Sequence, residues 1–115
     1  MTSLTLIVLR CRDLEASRTF FSTLGAEFTP EQHSTGPQHY SCTLGGVVLE
    51  LYPAGGRNTS DVRLGFIVRD LAHTLGQVRQ QDWTVLSENV GHAVVVDPDG
   101  HKIELSEARE PPLAV

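Results

Sequence analysis

Apolar and polar positions follow an order that runs once along the chain and then starts again. Leu4-Thr5-Leu6-Ile7-Val8-Leu9-Arg10-Cys11 is nearly continuous in apolar or β-favouring residues and predicts a first strand. Asp13 then suits a helix N-cap, with Glu15 in the first turn where the helix dipole favours an acid. Ala16, Phe20 and Leu24, joined by Phe21, form the apolar stripe of that helix, and Gly25 is placed to end it. A strand over 26–31, a loop over 32–38 containing Ser34, Gly36 and Pro37, and a hairpin of strands 39–44 and 47–52 follow.

After Pro-Ala-Gly-Gly-Arg-Asn-Thr-Ser (53–60), the one internal stretch with linker chemistry, the same order returns. A strand is predicted over 62–68, Asp70 as a cap, a helix over 71–81 carrying Leu71, Leu75 and Val78, a strand over 83–86, and a hairpin of 92–96 with 102–105. The hairpin turn, Asp97-Pro98-Asp99-Gly100, combines a φ-fixing proline, an Asp99 expected to bond its own backbone and a glycine free to take positive φ. An offset of 57 lays Arg12-Asp13-Leu14 on Arg69-Asp70-Leu71 and Glu31 on Glu88; an offset of 54 lays Gly46, Glu50 and Leu51 on Gly100, Glu104 and Leu105. The expectation is an α+β fold of two tandem βαβββ modules in one domain, 1–115: module one about 4–53, linker about 54–61, module two about 62–106 and a tail 107–115.

Composition narrows the functional classes. The chain has 115 residues, 40% apolar and 20% charged, which fits a single globular core. A net charge of −5 leaves no basic footprint, so nucleic acid is not an expected partner. No apolar run reaches the ~18 residues of a membrane span, so no membrane partner is expected either. Cys11 and Cys42 lack metal-type spacing, and no secretory leader pattern is visible, which together point to a reducing cytoplasm.

Strand alternation assigns the candidate chemistry. Ile103 and Leu105 point one way and Lys102 and Glu104 the other; in the matching strand of module one, Glu50 takes the place of Glu104. Both glutamates are expected on one shared concave surface. Leu6, Val8 and Arg10 share a face of the first strand, and Arg63, Gly65 and Ile67 share a face of its counterpart. That surface would hold Arg10, Arg63, Lys102, Glu50 and Glu104 amid Leu6, Val8, Val48, Tyr52 and Ile67. Among the five histidines, His39 and His92 begin corresponding strands and reach the rim, with His92 a candidate general base beside Glu50 and Glu104. His73 is expected to be solvated, His101 an exposed turn residue and His33 a loop residue. Tyr40 and Tyr52 are either cavity lining or packing, and Trp83 serves the core or a subunit contact. Gly55-Gly56 lacks the sequence that would make it a phosphate loop.

With Arg-Asp-Leu-Glu-Ala-Ser after the first strand and Asp-Pro-Asp-Gly-His-Lys-Ile-Glu-Leu near the end, the tandem pattern resembles the vicinal oxygen chelate superfamily. That group includes glyoxalase I, bleomycin resistance proteins, fosfomycin-modifying enzymes and extradiol dioxygenases. The resemblance implies a cupped, mostly antiparallel sheet with helices on the convex side, and commonly a homodimer. In metal-dependent members, ligands come from the first and last strand of each module, often histidine and glutamate. Carried onto this chain, those positions are Leu6, Glu50, Arg63 and Glu104: both glutamates are present and both histidines are absent. Leu6 donates nothing and Arg63 brings a fixed positive charge, so no metal cofactor is expected there, and Arg63 is expected to pair with Glu50 or Glu104. A divalent metal, Mg²⁺ or Mn²⁺ with several waters, is the alternative.

The resulting expectation is a small-molecule binding protein of the glyoxalase and bleomycin-resistance type. Arg10, Glu50, Tyr52, Arg63 and Glu104 would contact a polar or zwitterionic ligand. The alternatives are a divalent-metal-dependent lyase, isomerase or dioxygenase of the same superfamily, and a fold kept for assembly with no ligand.

Overall fold

In a computed structural model of the chain, residues 2–59 and 61–108 are described. Module one comprises β1 (Leu6–Cys11), α1 (Leu14–Thr23), β2 (Thr29–Glu31), β3 (His39–Leu44) and β4 (Val47–Pro53). Module two comprises β5 (Leu64–Val68), α2 (Leu71–Gln80), β6 (Val85–Asn89), β7 (His92–Val96) and β8 (Lys102–Glu107). The strands form two four-stranded mixed sheets, one per module, rather than one continuous sheet, in the orders β1-β4-β3-β2 and β5-β8-β7-β6. β1 pairs with β4 and β5 with β8 in parallel, which requires a crossover between them; every other pairing is antiparallel.

The repeat shows in the local chemistry. Asp13 and Asp70 both hold extended backbone angles, and their side chains accept from the amides of Ala16 at 3.1 Å and His73 at 3.0 Å. Gly25, at φ +109, ends α1 as expected. Leu9, Leu49 and Leu51 of one sheet and Val95, Ile103 and Leu105 of the other face the helices and are buried. Aromatic rings tie the halves into one core: Phe20 meets Trp83 at 5.0 Å and Phe21 meets Phe66 at 5.8 Å between centroids.

Differences from the sequence pattern have local causes. The second strand is only Thr29–Glu31, because the amide of Ala26 bonds back to Phe21 and is consumed by the helix exit. β6 starts at Val85 rather than at Trp83, whose amide bonds the carbonyl of Val78 at the end of α2 while its ring lies on Phe20. β8 continues to Glu107, and Ala108 bonds Val68, so the expected tail begins later; 109–115 and the linker residue Ser60 lie outside the described residues.

The Asp97–Gly100 turn differs most from its expected chemistry. Asp97, not Asp99, holds the turn: its Oδ1 accepts from the amides of Asp99 and His101, and its Oδ2 lies 2.8 Å from His101 Nδ1. His101 is therefore buried rather than an exposed turn residue. Asp99 reaches across to module one, accepting from the amide of Arg12 at 3.0 Å and the hydroxyl of Ser17 at 3.3 Å, with the Arg12 guanidinium at 3.7 Å. Ser17 joins the buried face of α1, and the turn thereby fastens the second hairpin to the first helix.

Candidate functional site

The face of each sheet turned away from the helices carries the polar groups. On the first sheet, register places Arg10 beside Tyr52 and Glu31 beside His39. His39 stacks on Tyr52 at 4.1 Å with planes 9° apart, and the Arg10 guanidinium lies 4.8 Å from the Tyr52 centroid. One band thus crosses all four strands as Arg10, Tyr52, His39 and Glu31. Glu50 lies in the neighbouring band, level with Val8 and Ser41, and its Oε2 approaches His39 Nε2 at 3.4 Å.

On the second sheet Glu104 is level with Gly65 and Val94. Its Oε1 is 3.3 Å from Arg63 Nη2 and 3.8 Å from His92 Nε2. The lack of a side chain at Gly65 leaves the surface beside Glu104 open for Arg63 to cross. Both charged groups are about half exposed, so water screens this pair and its role is positional more than stabilising.

The structure brings together some of the expected residues and separates others. Arg63 does pair with a glutamate, and that glutamate is Glu104. Glu50 and Glu104 stand in different sheets with different partners, His39 beside Glu50 and Arg63 and His92 beside Glu104. Arg10 and Tyr52 belong with Glu50; His92 belongs with Glu104. Lys102 and His73 are exposed. Tyr40 faces the helices instead of the cup. Its hydroxyl donates to Glu15; this bond, with Arg18, holds the Glu15 carboxyl below its ordinary range, and the same bond, against the opposing Arg18 charge, pushes the Tyr40 phenol up. Burial raises the Cys11 and Cys42 thiols, Cys11 to about 11, so neither is a ready nucleophile.

Three placements differ from or go beyond the expectations drawn from the sequence. The Asp97, Asp99 and His101 side chains converge out of water, but their carboxylates are engaged by Arg12, Ser17 and turn amides, and they act as a fastening. His39 is fully buried beside Glu50 instead of standing at a rim. Glu31 and His33, two residues apart, join it at the far edge of the same sheet; that Glu-x-His spacing opposite a strand-initial histidine is a signal the sequence did carry.

The positions that hold metal in the resembling family do not fit an ion here. Leu6 has no donor atom, and the Arg63 guanidinium occupies the charge position beside Glu104.

The sequence profile of the Glyoxalase/Bleomycin resistance protein/Dioxygenase superfamily matches residues 3–105. The chain belongs to that superfamily. Among curated protein sequences, none matches this one. Solved structures of the same fold include "Oxidase ChaP-H2", with 23% identity, 94% of each chain covered and a TM-score of 0.74. The trypanothione-dependent glyoxalase I of Leishmania major is also 23% identical, with 93% of this chain and 87% of that chain covered and a TM-score of 0.74. The antibiotic binding protein TnmS3 from a Streptomyces species is 18% identical, with 95% and 98% covered and a TM-score of 0.71. An oxidase, a glyoxalase and an antibiotic binder share this superfamily fold, so the backbone alone does not select among their activities.

Proposed function

We propose that this superfamily member is a small-molecule binding protein that holds its ligand without a metal at the family's ligand positions. The observation that carries this reading is the Arg63–Glu104 pair at 3.3 Å: a guanidinium neutralises the carboxylate where an imidazole would be needed to share an ion. The two faces offer complementary recognition. Arg10 and Tyr52 supply a cation over an aromatic ring, while Arg63 and Glu104 supply both signs of charge, which suits a zwitterionic compound with a planar group.

Two halves of a site on separate sheets are best closed by a second copy, so the working form is proposed to be a cytoplasmic homodimer. Exposed Leu6 and Ile67, on the edge strands β1 and β5, support this. No described helix is long and apolar enough to cross a membrane.

The test is a thermal-shift screen of planar zwitterionic compounds, antibiotics included, followed by calorimetry on the best binder and mass spectrometry of the recovered compound. Saturable binding, an unchanged compound and at least about ten-fold weaker binding in Arg63→Met are expected. Steady conversion of the compound, or stoichiometric metal lost in Glu104→Gln, would replace this reading by that of a metal-dependent lyase, isomerase or dioxygenase.

A further inference from the structure

The strongest unassigned chemistry lies at the outer edge of the first sheet, away from Leu6, Arg63 and Glu104. Glu31 ends β2 and His33 follows it by two residues, while His39 is the register partner of Glu31 on β3. One ligand atom from each of these three residues lies within 4.8 Å of the other two. Glu50 is adjacent, its Oε2 3.4 Å from His39 Nε2.

The buried imidazole decides what this cluster is for. The His39 side chain is 1% exposed, and its Nδ1 lies 3.3 Å from the carbonyl of Pro37. A carbonyl only accepts, so Nδ1 carries a proton, and in the neutral ring Nε2 is a lone pair. That Nε2 is buried and has no hydrogen-bond partner among the described residues, yet it faces a carboxylate oxygen. A lone pair set against an anion away from water is unfavourable unless a cation lies within reach. The parallel stack on Tyr52 fixes the ring plane, and the Nδ1–H to carbonyl bond is the outer support that metal-binding histidines use.

We propose that Glu31, His33 and His39 bind a divalent transition ion of the Zn²⁺ class, with Glu50 beside it. Two imidazoles and a carboxylate favour such ions over Mg²⁺ or Ca²⁺, which take oxygen donors. Ligand bonds of about 2.1 Å require donor atoms about 3.4 Å apart, so the cluster contracts on binding. His33, 71% exposed on the 32–38 loop, supplies most of that movement. The competing occupant is a second proton, which would make His39 an imidazolium paired with Glu50. The site uses neither Arg63 nor Glu104, so Glu104→Gln separates it from the ligand reading above, with which it shares only the Tyr52 ring that His39 stacks on.

The experiment is calorimetric titration of the chelator-treated full chain with Zn²⁺, together with visible spectroscopy of the Co²⁺ form. One ion per chain and the absorption of tetrahedral Co²⁺ are expected. His33→Gln and Glu31→Gln, both at positions that leave the core intact, weaken binding by about ten-fold or more. His73→Gln, on exposed α2 surface, and Glu104→Gln leave it unchanged. No binding, equal affinity in His33→Gln and Glu31→Gln, or loss of binding in Glu104→Gln overturns the proposal. In the first case, nitrogen NMR of His39 showing protons on both ring atoms identifies the proton as the occupant.

Discussion

Replacing Asp99 by alanine tests whether the second module's turn fastens the two modules together. The carboxylate accepts from the Arg12 amide at 3.0 Å and the Ser17 hydroxyl at 3.3 Å and lies 3.7 Å from the Arg12 guanidinium, with its own side chain 1% exposed. The guanidinium is 69% exposed, so water replaces that partner and its loss contributes little. Ser17 is fully buried, so its hydroxyl loses a charged acceptor with no water to substitute, a penalty of about 1–3 kcal/mol. The exposed Arg12 amide is rehydrated, at a loss of about 1 kcal/mol. Asp99→Ala is therefore expected to destabilise by about 2–4 kcal/mol, a fall in Tm of roughly 10 °C for a domain of this size. Urea unfolding at neutral pH measures it, and Asp99→Asn, which keeps an acceptor, should lose about half as much. The decisive quantity is the coupling with Ser17→Ala in a double-mutant cycle, expected to be about 1 kcal/mol or more. Additivity within about 0.3 kcal/mol would refute the fastening.

Further outcomes follow from the same structure. Burial, with the Asp99 and Asp97 charges adding to it and the Ser17 hydroxyl opposing it, pushes the Cys11 thiol to about 11 from an ordinary value of 9.0. The folded chain thus holds this proton more tightly than the unfolded chain. Its stabilising effect is present below about pH 9 and is lost as pH rises to about 11. The stability of wild type relative to Cys11→Ala, by urea titration across that range, should fall by roughly 2 kcal/mol. Phe20→Ala removes a ring that touches both Phe21 and Trp83 and should destabilise by about 3–5 kcal/mol, quenching or shifting Trp83 fluorescence in the process. Arg63→Met should change stability by less than about 1 kcal/mol in the same unfolding assay, because its pair with Glu104 is half exposed. Gly100→Ala should lose about 1–2 kcal/mol by thermal melting, since the turn requires φ +90 there.

The fold was legible because local chemistry and apolar period agreed twice over. Asp13 and Asp70 cap helices, Gly25 and Gly100 take positive φ, and strand alternation correctly divides Leu9 and Leu51 from Arg10 and Glu50. What the sequence could not settle was long-range competition for the same groups. The pattern around Trp83 favours a strand, but the end of α2 takes its amide and Phe20 takes its ring. Asp99 reads as a turn residue, yet Asp97 satisfies the turn amides and frees Asp99 to cross to Ser17 and Arg12, 82 and 87 positions away in the chain.

The faces of the candidate residues were legible in the sequence, but their grouping was not. Alternation places Glu50, Glu104, Arg10 and Tyr52 on the face away from the helices, because side-chain direction within a strand depends only on parity; Arg63, just before β5, reaches Glu104 from outside the strand. Which of them meet depends on sheet order, and here β4 and β8 are the second strands of two different sheets. Arg63 consequently neutralises Glu104 alone, and Glu50 is left to His39. That division has a chemical consequence for the cup. The Glu104 side offers balanced charge to a ligand, whereas on the Glu50 side a carboxylate faces the buried, unpartnered Nε2 of His39, where a cation is proposed above. Symmetry of sequence between the two modules thus places two glutamates at equivalent positions in different surroundings, and the difference comes from the residues facing them: Arg63 beside one, His39 beside the other.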